Sequence, residues 1–130
     1  MVLTKELILS GSKFRKTIHV TSYGEDIEIR PLTDVEIAKI FKKVENSGFD
    51  TTDPKLSDNY ILQVEACRFG IVDKSLHEIY NPEDPEEDQK EVFELMIGNS
   101  LAEIGRAIIS ISTVGNEELN DFFIQQKENN

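Results

Sequence analysis

The feature that most narrows what this chain can fold into is a change of period at Pro31-Leu32-Thr33. Before it, Ile18 and Val20 alternate with Thr17, His19 and Thr21, and Ile27 and Ile29 alternate with Asp26, Glu28 and Arg30. After it, Ile37, Ile40, Phe41 and Val44 recur at spacings of three and four. Period two marks a strand whose successive side chains face opposite ways, and period 3.6 marks a helix with one apolar stripe. With Tyr23-Gly24 between the two alternating runs, segment 16–30 reads as a β-hairpin with Ile18, Val20, Ile27 and Ile29 on one face. A lone hairpin is marginal in water, so that face needs a cover. Leu7-Ile8-Leu9 are expected to supply a third strand or part of that cover.

The helical part begins with a capping box, Thr33-Asp34-Val35-Glu36, in which the Thr hydroxyl and the Glu carboxylate satisfy unpaired amides of the first turn. A helix is expected from about Asp34 to Asn46, with Lys39, Lys42 and Lys43 in water and Gly48 as its stop. A second should run from Pro54 or Ser57 to Phe69, burying Leu56, Tyr60, Ile61, Val64 and Cys67, with Gly70 as the stop. Residues 73–85 read as connection, with Leu76, Ile79 and Tyr80 folding back on the core. A third helix is expected over Glu86–Ile97, using Val92, Phe93, Leu95, Met96 and Ile97. Gly98-Asn99-Ser100 breaks the pattern, and Asn99 or Ser100 can cap the next helix, about 100–112. That helix is apolar nearly all round and should be central, with Gly105 permitting close approach of a neighbour. Asn116 caps a last helix, about 117–127. The fold class is α+β, mainly α: an N-terminal β-hairpin (1–32) and a compact bundle of four to five helices (33–127). The whole of 1–130 is one domain, ending in a frayed tail at 128–130.

Charge bears on partners. The chain carries 14 Lys+Arg against 25 Asp+Glu, a net charge of −11. Residues 1–45 hold eight basic and seven acidic side chains, and residues 46–130 hold six and eighteen, so the excess is confined to the later part. A nucleic-acid surface or an anionic-lipid surface needs a basic footprint, so neither partner is expected. The densest acidic run, Glu83-Asp84-Pro85-Glu86-Glu87-Asp88, is read as a solvated lead into a helix. It lacks the central Gly and alternating ligands of an EF-hand loop. The start shows no signal-peptide core and no stretch approaches about 18 consecutive apolar residues, so a cytoplasmic location is expected.

Candidate chemistry is sparse. An enzyme needs a convergent nucleophile, base and charge stabiliser. His19 falls on the polar side of the hairpin and His77 in a connection, and neither has metal-ligand spacing. Cys67, the sole cysteine, sits on an apolar helix face and reads as a small hydrophobe. No phosphate-cradling glycine motif occurs, and with 25 acids some paired carboxylates arise by chance. The expectation is a non-enzymatic protein with no catalytic residues, no cofactor and no metal. Recognition remains. Ile108, Ile109, Leu119, Phe122 and Phe123 offer more apolar surface than a short final helix readily hides, and they are the candidate partner contacts.

The layout resembles the small tail assembly chaperones of long-tailed phages and proviruses. The likeness is carried by Ile27-Glu28-Ile29-Arg30-Pro31-Leu32-Thr33 leading into an amphipathic helix and by Glu65-Ala66-Cys67-Arg68-Phe69-Gly70-Ile71. It continues in Ile97-Gly98-Asn99-Ser100-Leu101-Ala102-Glu103-Ile104 and closes on Glu117-Glu118-Leu119-Asn120-Asp121-Phe122-Phe123. It spans residues 16–124 and implies a protein that coats the tape-measure protein, keeps it soluble and helps tail-tube subunits assemble around it. It also implies absence from the finished virion and, often, a longer frameshifted form. No functional residue set comes with the resemblance, and the pattern is compatible with self-association. Two other readings fit the residues: a structural tail or neck protein retained in the particle, and an acidic module that mimics nucleic acid to occupy a basic protein.

Overall fold

A computed structural model of the chain describes residues 2–46, 58–76, 92–113 and 115–128. The elements, in order, are α1 (Lys5–Gly11), β1 (Lys16–Val20), β2 (Glu25–Ile29), α2 (Asp34–Asn46), α3 (Asp58–Gly70), α4 (Ser100–Ser112) and α5 (Glu117–Glu128). Short 3-10 turns lie at Lys74–Leu76 and Val92–Leu95. The fold is α+β and mainly α, with the hairpin followed by four α-helices among the described residues.

The hairpin forms as its alternation requires. β1 and β2 pair antiparallel with Ile18 opposite Ile27, Lys16 opposite Ile29 and Val20 opposite Glu25, which puts Ile18, Val20, Ile27 and Ile29 on one face. Gly24, with φ of 67°, closes the four-residue turn in the left-handed region that an L side chain disfavours. The polar face carries His19, whose Nδ1 lies 2.9 Å from Asp26 Oδ1 in solvent.

The cover over the apolar face is not the one expected. Leu7-Ile8-Leu9 belong to a helix, α1, capped by Thr4, whose Oγ1 accepts from the Leu7 amide at 3.2 Å. That helix lies against α5, and α4 packs against β1 instead. A run of three apolar residues has no readable period, so a cap and one turn of backbone bonds decide its form. On the other side, the chain leaving α3 runs beside β2. Ile71 bridges Ile29, the Arg30 amide donates to Gly70 O at 2.8 Å, and the Val72 amide donates to Glu28 O at 3.1 Å.

α2 spans the expected residues because its capping box is made. Glu36 N donates to Thr33 Oγ1 at 3.2 Å, and Thr33 N donates to Glu36 Oε1 at 2.9 Å. Thr33→Ala is expected to cost about 1 kcal/mol, read as a lower denaturation midpoint with unchanged slope in urea. Along the stripe, Ile40 is buried and Ile37 and Val44 pack on the core, but Phe41 is 59% exposed, correcting its expected burial. α2 packs on α3, and that contact uses a narrower arc than the sequence offers. Lys43, on the outer edge, reaches across to the carboxylate of Glu65, which Arg68 also holds at 3.3 Å. Glu65 is thus a buried acid with two cationic partners.

α3 and α4 form the centre. Ile104, Ile108 and Ile111 of α4 are each at most 1% exposed, and with Cys67, Ile71, Ile29 and Phe93 they make the heart of the core. The expected role of Gly105 holds: a Cβ there would stand 3.2 Å from the Gln63 backbone. α3 ends at Gly70 as expected, and the residue has a second role. It is the last residue of α3 rather than a left-handed stop, and it is needed because a Cβ would meet the Ile108 side chain at 2.5 Å.

Three further expectations are corrected. Of the helix expected over 86–97, the described part is a single 3-10 turn over Val92–Leu95. It buries Phe93 but leaves Leu95 and Ile97 exposed. Asn99 occupies the N-cap of α4 at φ of 62°, yet its side chain makes no capping bond, and Ser100 Oγ donates back to Ile97 O at 2.8 Å. Residue 128, expected in a frayed tail, is the last of α5. By contrast Asn116 caps α5 as read, Oδ1 accepting from the Leu119 amide at 3.0 Å. Gly48, Leu56, His77, Ile79, Tyr80 and the acidic run 83–88 lie outside the described residues.

The hairpin tip is tied to α4. Thr21 donates to Glu103 through both its amide and its hydroxyl at 2.8 Å, Ser22 Oγ donates to Gly98 O at 2.5 Å, and the Ile97 amide donates to Tyr23 Oη at 3.1 Å. The amide and hydroxyl of Thr21 hold the Glu103 carboxyl below the usual carboxylate range.

Candidate partner-binding cleft

α1 and α5 make an outer layer in which no residue is fully buried. The two helices meet through Gly11, where a Cβ would sit 3.1 Å from the Phe123 ring. A T-shaped aromatic chain anchors the layer below. Phe14 meets Phe122 at 5.3 Å between centroids, and Phe122 meets Phe123 at 5.7 Å. Lys16 and Glu118 pair at 2.5 Å at the start of α5. From Gly11 against Phe123 to Lys16 against Glu118, the chain leaving α1 runs against the direction of α5.

Between these helices and the segment Arg30–Glu36 lies an open cleft of about 1050 Å³. α1 and the chain before it present Leu3, Leu7 and Ile8, and α5 presents Leu119, Phe123 and Ile124. Leu3, Ile8 and Ile124 are at least half exposed. The third wall is rigidly held. The Leu32 amide donates to Ser112 Oγ at 2.8 Å, and Arg30 grips Glu36 with two bonds of 2.9 and 2.7 Å. Burial pushes the Glu36 carboxyl upward. The Arg30 hydrogen bond, the Thr33 amide and the Arg30 charge outweigh it, so the group ionises below its ordinary range.

A carboxyl whose folded value is depressed adds stability above its unfolded pKa and loses it as pH falls through the folded value. Thermal midpoints recorded from pH 7 to pH 3 are therefore expected to fall below about pH 4.5, and Glu36→Gln should flatten that fall, leaving the part due to Glu103.

Of the five candidate contacts, Leu119 and Phe123 line this cleft. Ile108 does not. It is 0% exposed, closed in against Gly70, and is a core residue rather than a contact. Ile109 and Phe122 are half-buried and pack against the core. Sequence reasoning missed Leu3, Leu7, Ile8 and Ile124. Leu7 and Ile8 share one face of α1 with Gly11 at spacings of four and three, a face hidden by the helix's brevity and by the expectation of a strand, and Leu3 lies just before the helix.

Cys67 and His19 stand apart from the cleft. Cys67 is fully buried, and burial pushes its thiol up to about 12, which keeps it protonated and inert at neutral pH. His19 is exposed on the hairpin's polar face. Among the described residues, no three His, Cys, Asp or Glu gather as metal ligands would. Among them also, no helix is long and apolar enough to cross a membrane.

The geometry defines a small mainly helical protein whose distinctive surface is an open apolar cleft between its first and last helices. Comparison with protein-family models, with curated proteins and with solved structures gives no match.

Proposed function

We propose that the protein is a non-enzymatic tail assembly chaperone of a long-tailed phage or provirus, acting in the host cytoplasm. It binds the tape-measure protein and assists assembly of tail-tube subunits around it. The observation that carries the reading is the α1–α5 cleft: two adjoining helices and the residues before the first of them offer Leu3, Ile8 and Ile124 to solvent, a groove of the kind into which an amphipathic helix lays its apolar face. A tape-measure chain is long and helical with extended apolar faces. A small cleft repeated on many copies masks such faces by avidity, while each contact stays weak enough to be displaced. The net charge of −11 keeps the unoccupied protein soluble and self-repelling.

The test is co-expression with a long-tailed phage tape-measure protein. The tape-measure chain is expected to become soluble and to co-purify, Ile124→Glu should abolish both, and the chain should be missing from finished particles. No gain in solubility and no co-purification would overturn the proposal.

A further inference from the structure

The cleft's charge differs from that of the molecule around it, and its two ends carry cations. Its lining holds Arg15, Arg30 and Lys127 against Asp34 and Glu36, a small positive excess in a chain of net −11. Arg30 and Glu36 neutralise each other. Arg15 spends Nη1 on the carbonyls of Ser12 and Phe14, and neither Arg15 nor Lys127 forms an ion pair among the described residues. They mark opposite ends. Lys127 ends the apolar stripe of α5, eight residues and about 12 Å along the helix from Leu119. Arg15 stands beside Lys16, whose partner Glu118 lies at the Leu119 end.

From this we infer that the occupant of the cleft is an amphipathic helix whose apolar stripe is bracketed by acidic residues seven or eight positions apart. The inference rests on the cleft being a helix-docking site, as in the function proposed above, and it specifies the chemistry of the partner. The volume is at the upper end of small-molecule sites, about 300–1000 Å³, and the cleft is open to solvent rather than enclosed. A helix laid along the groove between the α1–α5 pair and the Arg30–Glu36 segment sets its apolar stripe on Phe123 and Ile124. One carboxylate then reaches Arg15 and the other Lys127. Asp34 is the remaining unpaired charge of the lining, and it disfavours a further acid near the Arg30 wall. The reverse arrangement, Lys in place of the two acids, sets cations against cations in the cleft of an otherwise acidic protein.

Two fluorescent 18-residue helical peptides test this, sharing one apolar stripe and carrying either Glu or Lys at the two bracketing positions. Fluorescence anisotropy against the full chain at low salt is expected to show the Glu peptide binding roughly ten-fold tighter, with the advantage shrinking as salt rises. The double variant Arg15→Glu/Lys127→Glu, verified as folded by its thermal midpoint, should reverse the preference. Ile124→Glu should abolish binding of both peptides. Equal binding of the two peptides, or a preference that survives the double reversal, overturns the acidic bracket while leaving the chaperone reading standing. Failure of both peptides to bind overturns the inference, and solubilisation of a tape-measure protein that persists in Ile124→Glu would remove the cleft from that reading as well. A concentration-dependent rise in mass on sedimentation, abolished by Ile124→Glu, makes the occupant a second copy and also overturns the inference.

Discussion

Replacing Phe93 by Ala is expected to cost about 3–5 kcal/mol, the largest effect of any single truncation among the described residues. Phe93 is the bulkiest of the fully buried side chains, at 1% exposure, and it sits on a 3-10 turn of only four residues. Such a turn has little stability of its own, so its place against α3 depends on the ring that it inserts. Removing the ring leaves a cavity in the core beside α3, and an interior packed like a crystal closes such a space only in part. Against a total stability of about 5–15 kcal/mol for a domain, the loss takes a third or more of the margin. Urea unfolding followed by circular dichroism measures it as a fall in midpoint. A loss below about 1 kcal/mol would mean that the 92–95 turn is not an integral part of the core.

Ile108→Ala is expected to lower stability by about 2–5 kcal/mol and to leave partner binding by the folded fraction unchanged. This separates the core from the contact surface within a single apolar helix. Ile108 is 0% exposed and fills the space that Gly70 leaves open, so its truncation removes packing on both α3 and α4. Gly70→Ala strains the same place from the other side, at about 1–3 kcal/mol, because the new methyl would stand 2.5 Å from Ile108. The two changes together are expected to cost less than the sum of each alone, since the smaller side chain at 108 makes room for the methyl at 70. A double-mutant cycle on denaturation midpoints measures the coupling. Strict additivity would contradict the contact.

The parts of this fold that were legible in the sequence are those with a local cause. The capping box at Thr33 fixes the start of α2, the alternation of Ile18, Val20, Ile27 and Ile29 sets the hairpin's face, and Asn116 opens α5. The parts that were not legible have a cause far away along the chain. Phe41 and Val44 look alike as members of one stripe, and only the narrow arc that α2 presents to α3 decides that Phe41 stays in water. In α4 the polar residues Glu103, Arg106 and Ser110 share one face by their spacing, so the burial of Ile108 opposite them has a local cause; what has none is the Gly70 contact that receives it, 38 positions earlier. The cleft joins residues 3–15, 30–36 and 119–127. Leu119 and Phe123 were visible as excess apolar surface, but their companions on α1 were concealed in a seven-residue helix too short to display a period.

The short pairing of Ile71 with Ile29 also bears on how these molecules behave when crowded. A two-stranded sheet has two rims able to recruit a strand from another chain, and such recruitment is the usual start of aggregation. Along β2 that rim is occupied by the molecule's own backbone, through Gly70 O and the Val72 amide. Along β1 it is only five residues long and begins with a lysine. The chain can therefore collect at high local concentration without its hairpins stitching together.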